Sequence, residues 1–349
     1  MDQTTTTSAT STATNLGGTR GLLAKLHSLH VRGEDALLGI VVATAGSTYQ
    51  KPGALVLLDR RGVRHGVISG GCLEPEVERR AQSIFADGRA ALVEFDTRAD
   101  EDLVFGSGTG CRGRVHLLLL PQPPGAPLTQ ALGEAAGEGA VLHLALTLDG
   151  DQLGAGSAQR APTLATTQHQ WLWDAHGSAS DAPRGGADLM LRIAPPPRIA
   201  LLGAGPETPL LLEFMHRFGW FVDVVEHRQR WIAFARGAAV DSFRELPPAA
   251  AAAQLRQQSF DAAIIMSHNF TIDAQHLRFC ARSAMPYVGL LGPPARRDAL
   301  LVELGADADV LRARLHAPVG LDLGGNGPEA IALAIIAELQ QFFAARSDA

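Results

Sequence analysis

Cysteine is scarce in this chain, with three in 349 residues. So few exclude a disulfide framework and point to a reducing, cytoplasmic compartment. No apolar run reaches the ~18 residues of a spanning helix, so no membrane segment is expected. Basic clusters are also missing and the net charge is −6, which gives no footprint for nucleic acid. Residues 1–19 are rich in Thr and Ser without an apolar stretch, and read as a disordered tail rather than a signal peptide. What is present, 46% hydrophobic and 19% charged residues, is ample for a core, and the length suits two domains.

The stretch that organises the chain is Val67-Ile68-Ser69-Gly70-Gly71-Cys72-Leu73-Glu74-Pro75-Glu76. An apolar run turns on two glycines, presents a cysteine and a carboxylate, and opens a helix. Pro75 fits the first turn of that helix, where its missing N–H has no partner to lose. Val77, Ala81, Ile84 and Phe85 follow at the spacing of a buried helical stripe. Cys72 therefore stands just ahead of a helix N-terminus, where free N–H groups favour a thiolate. Gly70 and Gly71 let backbone and ligand approach closely. A lone cysteine is more often a small buried hydrophobe. Here a second one, Cys111, sits in Phe105-Gly106-Ser107-Gly108-Thr109-Gly110-Cys111-Arg112-Gly113. Packing alone does not explain two glycine-framed cysteines in one domain, and thiolates suit a soft metal centre.

Around that stretch, Leu22, Leu23, Leu26 and Leu29 define a first helix, and residues 37–44 a continuous apolar strand. The polar loop 45–53 carries Ser47 and Thr48 and returns into a strand at 54–59. The turn Arg60-Arg61-Gly62 leads into a strand at 63–69, which delivers the cysteine loop. Ser and Thr are ordinary turn residues, but their place beside the cysteine makes them pocket candidates. Strands at 90–95 and 115–120 complete the domain. The acids Asp96, Asp100, Glu101 and Asp102 lack the order of a calcium loop and read as a solvated connection. Residues 122–195 read as a linker with a small strand pair, Trp171 and Trp173 lying on one core-facing strand face.

Pro195-Pro196-Pro197 marks a boundary. Beyond it a strand runs into Gly203-Ala204-Gly205, a helix follows with Leu210, Leu211, Phe214, Met215 and Phe218 buried, and the strand 221–225 ends at Glu226. This is the opening βαβ of a Rossmann-type domain, with a glycine turn for a pyrophosphate and an acid about 20 residues on for a ribose hydroxyl. Thr208, followed by Pro209, stands in place of the third glycine. Strands at 261–266 and 287–291 end in Ser267-His268-Asn269 and Gly292-Pro293-Pro294. Such strand ends bind ligands, which makes His268, Arg296 and Arg297 candidates beside the plainer readings of a loop histidine and a solvated helix start. Residues 314–325 read as a loop over the sheet. Pro328 starts a last helix with Ile331, Ile335, Ile336, Leu339 and Phe343 as its buried face. The expected class is α/β, with a mixed N-terminal domain (20–121) and a doubly wound parallel C-terminal sheet (196–349).

Several of these motifs, in this order, resemble the XdhC/CoxI family of accessory proteins of xanthine dehydrogenase and related molybdenum hydroxylases. The likeness rests on residues 39–48, Lys51-Pro52-Gly53, Gly70-Gly71-Cys72-Leu73-Glu74 and Gly110-Cys111-Arg112-Gly113. In the C-terminal half it rests on Gly203-Ala204-Gly205-Pro206, Ser267-His268-Asn269, residues 287–293 and residues 314–322. The resemblance implies a carrier rather than a catalyst: a protein that binds the molybdenum cofactor (molybdopterin, with or without a nucleotide) and shields it from oxidation. It would cooperate with a cysteine desulfurase that sulfurates the cofactor, and deliver it to the apo-enzyme. Cys72 matches the family's essential cysteine and would meet the molybdenum through the cofactor, with Cys111 as second ligand or gate. Gly70, Gly71, Glu74, Ser47, Thr48 and Arg112 would shape the pocket, Arg112 standing where the family usually has glycine. A homodimer is compatible with this reading. The competing reading is an NAD(P)-dependent oxidoreductase on the C-terminal domain, using Gly203, Gly205, Thr208 and Glu226 for the nucleotide and His268 as acid or base. A third is a scaffold that only tethers other proteins.

Overall fold

The computed structural model describes residues 17–96, 113–160, 170–180, 188–236 and 240–347. Cys111, Arg112 and the acids Asp100, Glu101 and Asp102 lie outside the described residues. The chain packs as two compact units that part between Pro195 and Pro196.

The first unit opens with α1 (Gly18–Val31), β1 (Ala36–Gly46), β2 (Leu55–Asp59), β3 (Arg64–His65), α2 (Glu74–Asp87), β4 (Ala91–Asp96) and β5 (Gly113–Gln122). The strands form one antiparallel sheet in the order β3-β2-β1-β5-β4. β1 is apolar from Ala36 to Val42 because both of its faces are covered there. Leu38, Ile40 and Val42 join a core with α1, while Leu37 and Val41 join one with α2. Gly39 in mid-strand is a packing requirement, since a Cβ there would lie 2.5 Å from Val56 Cγ1. α2 buries Val77, Ala81 and Ile84 on the sheet. Burial contributes about 1.5–3 kcal/mol for each of the two larger side chains.

The strand expected at 63–69 pairs only at Arg64–His65. Gly66 takes φ 89°, with its backbone against the Leu55 carbonyl. Beyond it the amides of Ile68 and Ser69 donate to the Glu74 carboxylate instead of to a neighbouring strand. Residues 122–195 also depart from expectation. They hold α3 (Pro127–Glu138), β6 (Leu142–Leu146), β7 (Gly156–Arg160), β8 (Gln170–Trp173) and β9 (Leu189–Ile193). These strands make a four-stranded antiparallel sheet in the order β8-β7-β6-β9. Leu142, Leu144, Leu146, Trp171 and Trp173 share the α1 core, so the segment is part of the unit and not a linker. Trp173 is buried as expected, its indole N–H donating to the Gly154 carbonyl at 2.8 Å.

The second unit contains β10 (Arg198–Leu202), α4 (Thr208–Phe218), β11 (Phe221–Val225), α5 (Gln229–Arg236), β12 (Ser242–Arg244), α6 (Pro248–Leu255), β13 (Ala262–Ile265), α7 (Phe270–Ala281), β14 (Tyr287–Leu290), α8 (Pro294–Leu304), α9 (Ala306–Leu311), β15 (Leu315–His316) and α10 (Pro328–Ser347). Its sheet is parallel in the order β12-β11-β10-β13-β14-β15, the doubly wound Rossmann order with its switch point between β10 and β13. Alternate strand residues supply the two faces. Ile199, Leu201, Val222, Val224 and Ile264 pack with α4 and α10, and Ala200, Leu202, Ala263 and Ile265 with α6 to α9. Two expected core residues are outside: Phe218, which ends α4 and stacks on Trp220 at 4.9 Å, and Ile331, both more than a third exposed. α10 is long and apolar enough, by composition, to cross a bilayer. In this fold Ala332, Ile335, Ile336, Leu339 and Phe343 pack on the sheet, and Glu338 binds His316 and the Gly320 amide.

Candidate functional site

The loop between β3 and α2 can be read amide by amide. Ile68 and Ser69 donate to Glu74 Oε1 at 3.2 and 3.0 Å, and the Ser69 hydroxyl donates to Glu74 Oε2. Ser69 Oγ in turn accepts from the amides of Gly71 and Leu73 at 3.2 and 3.1 Å. Every amide from Ile68 to Leu73 is thereby engaged except two, Gly70 and Cys72, which make no hydrogen bond among the described residues. Glu74, expected to line the pocket, is instead buried beneath it. Burial alone would raise its pKa, but the Ser69 hydroxyl and the surrounding amides outweigh it and hold the carboxyl below its ordinary value. Gly71 takes φ 112°, a left-handed backbone that a side chain disfavours, while Gly70 has open space around it.

Above this loop lies a depression open to solvent, whose roughly 320 Å³ of empty space includes the solvent at its mouth. Ser47, Thr48, Cys72 and Ser69 line it, with Tyr49 and the apolar wall Ile68, Leu73, Phe95 and Val115. Ser47, Thr48 and Cys72 thus come together, and Gly70 and Gly71 form the adjoining turn. The 47–53 loop is held in place: Thr48 Oγ1 donates to the Gln50 carbonyl and Gln50 Nε2 to the Val67 carbonyl, each at 2.9 Å. Gly113 approaches so closely that a Cβ would lie 2.4 Å from the Ser47 carbonyl oxygen. Cys72 is half-buried, in contrast to Cys280, which is fully buried and whose thiol burial pushes up to about 12. Among the described residues no three His, Cys, Asp or Glu side chains converge.

Gly203, Gly205, Thr208, Glu226 and His268 come together at the switch point, where the glycine-turn amides already have acceptors. The Gly203 amide donates to the Val225 carbonyl, Ala204 to Glu226 Oε2 at 3.0 Å and Gly205 to Thr208 Oγ1 at 2.8 Å. Glu226 is buried and also accepts both arms of the Arg228 guanidinium, at 2.9 and 2.6 Å. Its burial favours the neutral acid, yet Arg228 and the amides bring the pKa below normal. The glycines are explained by the chain itself. A Cβ on Gly203 would meet the Ser267 backbone, and one on Gly205 would meet Glu207 and His268. Glu207, which no spacing argument singles out, buries its carboxylate at the start of α4 and pairs with His268 Nε2 at 3.2 Å. A carboxylate there opposes a phosphate electrostatically. His268 takes φ 54°, alone among the described non-glycine residues. Arg296 bonds Asp273 at 2.6 Å, and Arg297 bonds the Ala317 carbonyl.

The XdhC and CoxI family model matches residues 29–96, and the XdhC Rossmann domain model matches residues 199–339. A Bacillus subtilis protein described as a probable xanthine dehydrogenase subunit is 28% identical over 328 residues, covering 88% of this chain and 93% of that protein. A crystal structure from Bacillus halodurans, described as a xanthine dehydrogenase, superposes with a TM-score of 0.73 at 25% identity, covering 93% of this chain and 96% of that one. The first family match includes every described residue of the cavity except Gly113 and Val115.

Proposed function

Because the chain belongs to the XdhC and CoxI family, we propose that it is an accessory protein of xanthine dehydrogenase or a related molybdenum hydroxylase. It carries the molybdenum cofactor in the Cys72 cavity, protects it, supports its sulfuration with a cysteine desulfurase and delivers it to the apo-enzyme. The observation that carries this reading is that Cys72, with its thiol and an uncommitted amide, lines one cavity with Ser47 and Thr48, while the uncommitted Gly70 amide lies on the adjoining turn. The residues suit the group. A thiol is a soft donor for molybdenum, and paired backbone N–H groups on a glycine turn suit anionic oxygen. The cofactor itself would supply the redox chemistry of the client enzyme. This chain supplies the binding, so it acts as a carrier. We take it to work in a reducing cytoplasm, given three cysteines in the whole chain.

The dinucleotide reading draws no support from the second unit, whose glycine-turn amides already have acceptors. The deciding experiment measures molybdenum and pterin in protein purified without oxygen, wild type beside Cys72→Ala. Near-stoichiometric cofactor on the first and little on the second is expected. Cofactor on neither protein would overturn the proposal.

A further inference from the structure

We propose that Tyr49 is the positioning residue that receives the flat ring system of the cavity's ligand, a pterin-type heterocycle, while Cys72 addresses its metal-bearing end. This rests on the carrier reading above and adds to it the ring-binding face. Tyr49 is one of two tyrosines in the chain. The other, Tyr287, is fully buried, whereas Tyr49 is 63% exposed and lines the same cavity as Cys72.

An exposed aromatic ring on a loose loop needs no explanation, but this loop is pinned. Besides the Thr48 and Gln50 bonds, the Gly53 amide donates to the Val41 carbonyl at 2.8 Å and Ala54 to the Lys51 carbonyl at 3.1 Å. Gly113 packs directly against Ser47 and Thr48. The fold therefore holds a large ring at the cavity rim and leaves it without a ring or cation partner among the described residues. Folding gains little from that placement, because the apolar face stays in water. A ligand gains a flat, amphipathic surface that loses only two torsions on binding.

The remaining walls select the shape of the guest. Ile68, Leu73, Phe95 and Val115 are apolar, and no charged side chain among the described residues lines the cavity. Among these residues, recognition falls to stacking on Tyr49, to the thiol and to the Cys72 amide. Flat conjugated heterocycles with a polar edge meet that description.

The test titrates full-length, anaerobically purified protein with molybdenum cofactor freshly released from a molybdenum hydroxylase. Tyr49→Phe, which keeps the ring, should bind within about twofold of wild type. Tyr49→Leu, which keeps apolar bulk without the ring, should bind roughly three- to tenfold more weakly, the range expected for a stacked aromatic contact. Both should melt with the wild-type protein, since the ring is exposed. Wild-type affinity in Tyr49→Leu overturns the inference, and the carrier reading then still stands if Cys72→Ala loses the cofactor. No affinity in the wild type removes both.

Discussion

Removing the Glu74 carboxylate should open the cysteine loop while sparing the sheet beneath it. In Glu74→Ala the buried amides of Ile68 and Ser69 lose an acceptor now 3.2 and 3.0 Å away, and the Ser69 hydroxyl loses its own. A hydrogen bond to a charged group contributes about 1.5–3 kcal/mol, and an orphaned buried amide costs about 1–3 kcal/mol. These contributions overlap, so about 3 kcal/mol is a reasonable figure for the loop, or roughly a hundredfold in its opening equilibrium. Hydrogen exchange followed by mass spectrometry on a peptide covering residues 66–76 reads that quantity directly. Alkylation of Cys72 should accelerate in parallel, because the thiol is carried on the same loop. The pH dependence has a definite sign. The folded carboxyl titrates below its ordinary value of 4.5, so its stabilisation is complete above that value and disappears as pH falls through the lower folded one. Loop protection, corrected for intrinsic exchange, should therefore decline below about pH 4.5 in wild type, while Glu74→Gln lacks that component. Protection within threefold of wild type in Glu74→Ala would refute the clamp.

Gly71→Ala should lower stability by about 1–2 kcal/mol through its left-handed backbone, whereas Gly70→Ala, with open space around it, should melt within about 0.5 kcal/mol of wild type. Gly113→Ala should displace the Ser47 loop, because the new Cβ falls 2.4 Å from a backbone oxygen, and both the thermal midpoint and cofactor retention should fall. Glu226→Ala leaves the Arg228 guanidinium, now bonded at 2.6 and 2.9 Å, without its anion. A loss of about 3–5 kcal/mol in urea unfolding is expected, and NADH titration of the wild type should give no saturable signal. Of Cys72 and Cys280, iodoacetamide should label the first in the native protein and the second only after unfolding, as its thiol is raised to about 12 by burial.

What could be read in the sequence was whatever depends on periodicity. The α2 stripe of Val77, Ala81 and Ile84, the two-faced apolar run of β1 as far as Val42 and the βαβ opening of the second unit, Phe218 excepted, bury the residues their spacing marks. What escaped depends on who accepts a given hydrogen bond. Nothing in residues 63–69 says that Glu74 takes the amides a strand would use. The segment 122–195 escaped because Ala, Gly and Ser carry little periodic signal, although Gly156 is small in order to clear the Trp173 ring. β12 and β15 are edge strands of three and two residues, too short to show alternation. At the site, Ser47, Thr48 and Cys72 were legible as polar or reactive residues on glycine turns. Tyr49 was not, since an aromatic in a loop announces itself only through its exposure. Glu207 has no spacing signal of its own, and its role rests on a pairing with His268, 61 residues away.

The bond from Ala204 to Glu226 carries a lesson about counting letters between motifs. The two residues are 22 apart, which is the length of one strand end, one helix and one returning strand. An acid at that distance is delivered to the glycine turn by the geometry of the passage, whether or not a ribose waits there. Here it reaches the turn and binds it. The spacing thus measures the circuit of the chain, and a vacant N–H is what distinguishes a binding site from a closed one.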